Sequence, residues 1–320
     1  MAIQRVEIKD FLVFKGEFAV EFCEGINVLI GGNGTGKTTL LRCLYDNGFV
    51  TVSSISSGSP FAYSGVGIYD SHSRSPAAIS HPSRNEPGKH KQQGRDVVVT
   101  VKDKIERYTY IPEKDILEHA KGLLPFIEQK STGFNHIYKD VLVSAQDIPT
   151  TKQTELQRSI GDILASIIGG HIEWVQSEGT FYTVRTDGMR IPFSVEASGF
   201  KKLGYLGLLI ASGQIDKGTV LFWDEPENSL NPEQVPLLVE ILLKLSRNGV
   251  QVFLATHSEI LASYISALRK SDDKVTFFSL YNDAGKINYD KDERFDLLKP
   301  NNLIAEQAKL HEKEVERVFR

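Results

Sequence analysis

The sequence predicts an α/β fold with a mixed, mainly parallel sheet, an antiparallel side sheet and a helical lobe. Apolar strand-like runs alternate with helical patterns after residue 202, and a parallel pair of strands needs such a crossover. Strand-like alternation near the start indicates the side sheet, and helical spacing between about 113 and 170 indicates the lobe. We expect a single domain over 1–320, made of a first part at 1–112, a lobe with a β-meander at 113–200 and a last part at 201–320.

The first part begins with two predicted strands, Ile3 to Ile8 and Gly16 to Phe22, and continues with a buried strand from Ile26 to Ile30. A helix is predicted from near Lys37 to about residue 47. Short β-rich runs follow at 49–55 and 65–69. The first two strands, which lead into the buried strand, are expected to form the side sheet.

Residues 71–95 are dense in Ser, Pro, Gly, His and Lys, which is typical of a mobile surface insertion. The basic residues of this insertion either belong to a solvated loop or contact an acidic partner. They are Lys89, His90, Lys91 and Arg95.

The lobe is predicted from helical signals. Pro112 is expected to start a helix that runs through Leu124, since proline suits the first position of a helix. Thr154 and Gln157 form a capping-box pattern before a stretch of apolar residues at helical spacing. Three alternating strands at 171–176, 181–186 and 189–195 then predict a small β-meander.

The last part alternates strands with helices. The predicted elements are a helix from Leu203 to Ala211, a strand from Thr219 to Asp224, a helix after Asn231-Pro232, a strand from Val250 to Ala255, a helix from Ser258 and a strand from Val275 to Tyr281. An amphipathic tail helix is predicted from Asn302. We expect this helix to pack on the core through a stripe formed by Ile304, Ala308, Val315 and Phe319.

Composition indicates an ordinary globular protein, with 41% hydrophobic and 24% charged residues. The net charge of −4 argues against a basic footprint for DNA over the whole protein and leaves a local contact with DNA open. The sequence shows no signal core and no run near the roughly 18 apolar residues that span a bilayer. We therefore expect a cytoplasmic protein without membrane contact, in which Cys23 and Cys43 are buried free thiols.

The segment from Gly31 to Thr38 matches the pattern G-x-x-x-x-G-K-[ST] between a predicted strand and a predicted helix. Its glycines allow a tight turn whose N–H groups point at phosphate oxygens, next to the positive end of the helix. Lys37 is expected to reach the β- and γ-phosphates and Thr38 to place its hydroxyl on Mg²⁺. A glycine-rich turn without a ligand is the alternative. The expected nucleotide-binding residues are Gly31, Gly32, Asn33, Gly34, Thr35, Gly36, Lys37, Thr38 and Thr39.

Two further chemical signals follow later strands. The strand that begins at Thr219 ends in Asp224 and Glu225, and downstream of a phosphate loop this pair predicts Mg²⁺ binding by Asp224 and activation of water by Glu225. An apolar strand that simply ends in an acidic turn is the alternative. His257 follows the next buried strand, so we expect it at the same edge of the sheet, near a γ-phosphate, unless it is a core histidine.

These motifs, with Ser198-Gly199 between the first and second, resemble those of the ABC-type ATPases over nearly the whole chain. The resemblance is to the soluble OLD-like and SMC-like (chromosome-maintenance) branch, which is related to AAA-family ATPases of anti-phage defence. It implies a P-loop NTPase head that binds ATP and Mg²⁺ and hydrolyses ATP. Lys37, Glu225 and His257, the last as a switch histidine, are the implied catalytic residues.

The resemblance also implies a homodimer or higher homo-oligomer in which Ser198 and Gly199 form a signature motif against the ATP of a second chain. The segment from Ala197 to Lys202 departs from the usual Leu-Ser-Gly-Gly-Gln. Glu113 stands where such ATPases carry a Mg²⁺-sensing glutamine. It is either a third metal ligand beside Thr38 and Asp224 or an early residue of the predicted helix.

The predicted function is an ATP-hydrolysing switch whose ATP-dependent dimerisation controls a separate effector protein, in anti-phage defence or DNA maintenance. A separate effector is expected because the sequence shows no metal-spaced Cys/His set, no nucleophile elbow and no acidic nuclease segment after the last strand. The alternatives are the nucleotide-binding subunit of an ABC transporter and a DNA-repair ATPase.

Overall fold

The computed structural model of the protein describes residues 2–46, 89–91, 96–102, 105–129, 136–147 and 152–318. The β-rich runs predicted at 49–55 and 65–69, and most of the insertion predicted at 71–95, lie outside these residues.

The chain alternates between strands and helices. Its strands are β1 (Ile3–Phe11), β2 (Phe14–Glu21), β3 (Ile26–Gly31), β4 (Lys89–Lys91), β5 (Asp96–Val101), β6 (Arg107–Ile111), β7 (Gly170–Val175), β8 (Thr180–Arg185), β9 (Arg190–Pro192), β10 (Thr219–Asp224), β11 (Gln251–Ala255), β12 (Val275–Asp283) and β13 (Lys286–Asp292). Its α-helices are α1 (Lys37–Asp46), α2 (Ala120–Gln129), α3 (His136–Ser144), α4 (Glu155–Ile168), α5 (Ser198–Ala211), α6 (Val235–Arg247), α7 (Glu259–Leu268) and α8 (Asn302–Val318). Short 3₁₀ turns occur at Leu117–His119, Phe193–Val195, Pro232–Gln234 and Phe295–Leu297.

The main sheet has six strands in the order β13-β12-β3-β11-β10-β6. All neighbours are parallel except β13, which pairs antiparallel with β12. Every residue of β3, β10 and β11 is buried, as expected for strands covered on both faces. The carboxyl ends of β3, β6, β10 and β11 therefore meet at one edge of the sheet, and the predicted mixed, mainly parallel α/β fold is confirmed.

The antiparallel side sheet has the order β2-β1-β5-β4. One side chain, Gln251 at the start of β11, ties it to the main sheet. The Ile3 N–H donates to Gln251 Oε1 (2.8 Å), and Gln251 Nε2 donates to Ile3 O (2.9 Å) and to Cys23 O (2.7 Å). Residues Lys89–Lys91 form β4 rather than part of a loop, because their backbone pairs with β5.

The lobe contains α2, α3 and α4 and the antiparallel meander β7-β8-β9. The predicted capping box is present at α4, where Thr154 accepts from Gln157 N and the Gln157 side chain accepts from Thr154 N. Gly169 ends this helix in a left-handed conformation, with φ of 70°. The meander is confirmed, and its third strand ends at Pro192.

The helix predicted from Pro112 to Leu124 is wrong at its start. Residues after β6 turn away from the sheet edge, and the first helical turn begins only at Leu117, whose N–H donates to Asp115 Oδ1 (3.0 Å). Asp115 and Glu118 also contact the ammonium of Lys201. These tertiary contacts outweigh the preference of proline for a first helical position, so Glu113 lies in a turn.

The predicted packing of the tail helix is also wrong. No residue of α8 is buried, and only Leu303 and Ile304 pack against the core. Leu310 and Val315 are exposed, since the apolar positions beyond the first turn are too sparse among charged residues to cover a core face. Phe319 lies outside the described residues. None of the helices within the described ranges is long and apolar enough to cross a membrane.

Candidate functional site

The phosphate-loop pattern lies between β3 and α1, as predicted. The ammonium of Lys37 is buried and donates to the carbonyl oxygens of Gly31 (2.9 Å) and Gly32 (3.1 Å). Burial lowers the pKa of Lys37 to about 8, against the opposing charges of Glu225 and Asp224. Lys37 thus donates hydrogen bonds to carbonyl groups of the same loop. A bound anion has stronger acceptor oxygens and would take these hydrogen bonds from the carbonyls.

Gly36 cannot be exchanged for a larger residue without moving its neighbours. Its φ is 91°, and a Cβ at this position would lie 2.8 Å from Phe14 Cζ and 2.9 Å from Val13 Cγ2. The turn between β1 and β2 therefore presses directly on the loop. This contact brings Val13 to the candidate site.

A pair of oxygen ligands suited to a divalent cation joins α1 to β10. Thr38 Oγ1 donates to Asp224 Oδ1 (3.1 Å), and Tyr110 Oη lies 3.5 Å from Asp224 Oδ2. Burial raises the pKa of Asp224, whereas the hydrogen bond from Thr38 and the charge of Arg42 lower it. Hydroxyl and carboxylate oxygens are ligands that Mg²⁺ prefers, and it usually takes few of them from the protein beside substrate phosphates. The residues present therefore fit the metal.

Glu225 and His257 face each other at the ends of β10 and β11. Glu225 Oε1 lies 3.5 Å from His257 Nε2, and the His257 N–H donates to Glu225 Oε2 (3.3 Å). Burial, followed by the charge of Glu227, raises the pKa of Glu225 to about 8. Burial and the charge of Lys37 lower the pKa of His257. His257 is thus not a core histidine, because 39% of its side chain is exposed.

Nine of the predicted site residues line one cleft of 430 Å³, whereas Gly31, Gly32, Thr35, Asp224, Ser198 and Gly199 are not among its lining residues. Its lining residues are Val13, Asn33, Gly34, Gly36, Lys37, Thr38, Thr39, Glu113, Glu225, Asn228 and His257. Glu113 reaches the cleft from the turn after β6, and its charge acts on both Asp224 and His257. Thr35 lies behind the loop, where its hydroxyl donates to Gly32 O (2.8 Å).

Ser198 and Gly199 are not among the described residues that line this cleft. They are the first two residues of α5, which was predicted to begin only at Leu203, and Ser198 is exposed. A Cβ at Gly199 would lie 2.5 Å from Ser229 O, so the signature segment packs on the turn that follows Glu225. An ion pair precedes this segment in the chain. Arg185 Nη2 donates to both carboxylate oxygens of the buried Glu196 (3.0 and 2.8 Å).

Four residues that were not among the predicted site residues lie at or behind the cleft. Asn228 lines it from the turn after β10. Thr256 Oγ1 donates to Glu227 Oε1 (2.5 Å), which ties the same turn to the end of β11. Glu227 and Asn228 lie in the segment from Glu227 to Asn231, which the resemblance to ABC-type ATPases marks as the D-loop. That resemblance was therefore a sequence signal for both residues. Val13 had none, since only the contact with Gly36 brings it there.

A family model described as "AAA domain, putative AbiEii toxin, Type IV TA system" matches residues 64–263, more than half of the chain. The matched range contains Ser198, Asp224, Glu225 and His257, and it begins after the phosphate loop. Among curated proteins, none matches the chain at a significant level.

Solved structures of SMC heads are similar to this chain. The Smc head domain with an extended coiled coil from Pyrococcus furiosus, bound to the C-terminal domain of ScpA, is 11% identical with a TM-score of 0.53, and the match covers 98% of this chain and 99% of that chain. An SmcHead bound to the C-winged helix domain of ScpA is 14% identical with a TM-score of 0.54, covering 91% and 97%. An ATP-binding cassette of an ABC transporter in the ADP conformation is 17% identical and covers 92% of each chain, at a TM-score of 0.44 that is too low to carry weight. The SMC matches show the fold and confirm the predicted head-type fold.

Proposed function

This chain belongs to the family described as "AAA domain, putative AbiEii toxin, Type IV TA system", and from that premise we propose that it is an ATP-hydrolysing switch. In this proposal ATP and Mg²⁺ bind in the cleft, ATP joins two copies of the chain, and hydrolysis separates them. The dimer controls a separate effector protein, in anti-phage defence or DNA maintenance.

One observation carries the proposal. Five groups that the sequence spreads over some 220 positions, from Lys37 to His257, come together at a single sheet edge. They are a buried lysine on a phosphate loop, the hydrogen-bonded pair Thr38 and Asp224 (3.1 Å), and the facing pair Glu225 and His257 (3.5 Å). Phosphoryl transfer requires positioning and electrostatic stabilisation more than covalent chemistry, and this set supplies both.

For binding, the loop from Gly31 to Thr38 presents backbone N–H groups at the positive end of α1. Lys37 exchanges its two carbonyl partners for the β- and γ-phosphates. Thr38 and Asp224 would hold Mg²⁺, which when bound neutralises charge on the phosphates. Among the residues of the described ranges no cluster of three or more His, Cys, Asp and Glu side chains is arranged to hold a metal alone. Mg²⁺ held by Thr38 and Asp224 would take further oxygen ligands from the substrate phosphates.

For hydrolysis, Glu225 is the residue that orients the attacking water and takes its proton. Burial favours its protonated form in the nucleotide-free protein, and binding of the cation nearby favours the carboxylate. His257 contacts both carboxylate oxygens of Glu225, through its N–H and its ring. It therefore holds the base in the cleft, and as a lining residue it would lie near a bound γ-phosphate.

The dimer is supported by the position of the signature residues. Ser198 is exposed at the first position of α5, outside the cleft of its own chain, and an N-terminal helix end favours an anion. The close contact of Gly199 with Ser229 places this helix end beside the turn that carries Asn228, which lines the cleft. The start of α5 and the open phosphate loop thus lie on one surface of the chain. A triphosphate bound between two copies would contact the phosphate loop of one copy and the start of α5 of the other.

The test is the mass of the protein with and without ATP and Mg²⁺. We expect Glu225→Gln to bind ATP, to lose turnover by about 10²- to 10⁴-fold, and to shift on size exclusion with light scattering from 35.7 kDa to roughly twice that mass. Lys37→Ala is the control that removes ATP binding. Adding Ser198→Arg to Glu225→Gln is expected to abolish the dimer while ATP still binds, because a bulky cation then occupies the approach of the second chain.

An unchanged mass of Glu225→Gln with saturating ATP and Mg²⁺ would exclude the composite site, and so would an ATP-induced dimer that tolerates Ser198→Arg. The effector has its own measurement. Tagged Glu225→Gln should capture a protein from the native host that Lys37→Ala does not capture, and equal capture by both variants would contradict control by ATP.

A further inference from the structure

A second buried lysine lies beside the candidate site. Lys202 is on α5, four residues after Ser198, and only 5% of its surface is exposed. Its ammonium donates to the main-chain carbonyl oxygen of Glu225 (2.8 Å). Burying a charge costs free energy unless it is paired and hydrogen-bonded, and a neutral residue at this position would avoid that cost.

Four acidic side chains of the candidate site act on the charge of Lys202. Burial lowers its pKa, and the carboxylates of Glu227, Glu113, Glu225 and Asp224 act in the opposite direction. These four groups come from the end of β10, the turn after it and the turn after β6. The Lys202 ammonium therefore lies beside the acidic residues of the candidate site.

Glu225 has a backbone that needs such support. Its φ is 48°, in the left-handed region that is strained for a residue with a Cβ. Its N–H donates to Ala255 O (2.8 Å), and its carbonyl accepts from the Asn228 N–H (3.2 Å) and from the Lys202 ammonium (2.8 Å). The residue is thus held at both of its peptide groups, and together these fix the direction of the Cα–Cβ bond.

We propose that Lys202 is a positioning residue for ATP hydrolysis, which holds the Glu225 carbonyl so that the Glu225 side chain stays directed into the cleft and against His257. Lys202 is not among the described residues that line the cleft, so it acts through Glu225. This inference rests on the proposed ATPase function, because it concerns turnover at the same site.

The neighbouring residue Lys201 is a matched control. It is buried to the same extent as Lys202 and lies on the same helix. Its ammonium contacts Glu118 and lies 3.4 Å from Asp115, in the segment after β6, rather than contacting Glu225. Removing either ammonium takes a buried cation from α5, but only the change at Lys202 removes the side-chain donor of the Glu225 carbonyl, which then keeps the Asn228 N–H (3.2 Å).

The experiment compares Lys202→Met, Lys202→Arg and Lys201→Met for ATP affinity, kcat, KM and thermal unfolding. Because a misplacement of about 1 Å can cost about 100-fold in rate, we expect Lys202→Met to lower kcat by about 10- to 100-fold. ATP affinity and KM should stay within about twofold, since the phosphate contacts are untouched. Lys202→Arg retains a donor and should recover most of kcat, whereas Lys201→Met should lower the melting temperature and lower kcat less than Lys202→Met does, since it leaves the Glu225 carbonyl untouched.

Crystal structures of the same proteins give a readout independent of turnover. We expect the 3.5 Å contact between Glu225 and His257 to persist in Lys202→Arg and Lys201→Met and to be lost in Lys202→Met. If the Lys202→Met chain does not fold, Lys202→Gln tests the same contact, because its side chain is too short to reach the Glu225 carbonyl.

The outcomes separate the two proposals. If the wild-type protein binds ATP without hydrolysing it, yet Lys202→Met displaces Glu225, the positioning role stands and the proposed hydrolysis fails. If Glu225 keeps its place in the variant, or if kcat falls only in proportion to stability and equally in Lys201→Met, the positioning role is refuted, whatever the wild-type rate.

Discussion

Replacing Gly199 by alanine is expected to destabilise the protein, although alanine is the better helix former. Gly199 is the second residue of α5, and a Cβ there would lie 2.5 Å from Ser229 O and 3.0 Å from Leu230 Cδ2. The leucine end can move aside. The carbonyl of Ser229 cannot move alone, because it belongs to a turn in which Ser229 itself has φ of 69°.

Two opposing effects set the magnitude. Alanine in place of glycine inside a helix gains up to about 1 kcal/mol, and less near a helix end. Forcing an extra methyl against well-packed atoms costs typically about 1–3 kcal/mol. The carbonyl would have to retreat by roughly 1 Å to reach ordinary contact, so the clash wins, and we expect a net loss of about 1–2 kcal/mol in the free energy of unfolding.

Gly161 provides the control. It lies within α4, and a Cβ added there would meet nothing within 4 Å. Gly161→Ala should therefore stabilise the protein by about 0.5–1 kcal/mol. Urea unfolding of both variants and the wild type decides the matter. Equal shifts in the same direction would show that the close approach between Gly199 and Ser229 does not exist in solution.

Two further predictions concern stability. Hydrogen bonds from Lys102 and Lys274 lower the pKa of Glu24 to about 2, so its stabilisation is complete above an unfolded-state pKa of about 4.3 and is lost as pH falls toward 2. Because these pairs are exposed, Glu24→Gln should cost less than about 1 kcal/mol at pH 7 and clearly less at pH 2, where the folded-state carboxyl is about half protonated; a urea midpoint difference as large at pH 2 as at pH 7 would contradict this. Thr154→Ala removes an N-cap and should cost about 1 kcal/mol in thermal unfolding, whereas Thr154→Ser should cost little; equal losses in both would remove the cap as the cause.

The predictions that succeeded rest on local patterns. Three examples are the turn of the phosphate loop between β3 and α1, the buried strand that ends at Asp224 and the capping box at Thr154. Each depends on residues within one turn or strand, so the spacing of residue types predicts it. The shared sheet edge of Glu225 and His257 also followed, since parallel strands bring their carboxyl ends together.

The predictions that failed depend on distant contacts. The turn at Glu113 exists because Lys201 holds the following segment, and sequence spacing does not reveal that partner. The strand β13 was not predicted, although Ile287 and Tyr289 alternate with polar residues after the turn at Gly285. That signal was present. The exposure of α8 was not visible, because amphipathic spacing indicates a helix but not what covers it.

The role of Gln251 as the link between the two sheets has a mechanical consequence. Its three hydrogen bonds hold the side sheet to the first residue of β11, and the last residue of β11 is followed by Thr256 and His257. A strand in the middle of a sheet resists stretching, because every shift along its axis breaks ladder hydrogen bonds on both sides. The two ends of β11 therefore move as one rigid piece. Any force that pulls β1 away from the core must break the Gln251 hydrogen bonds or displace His257 with it.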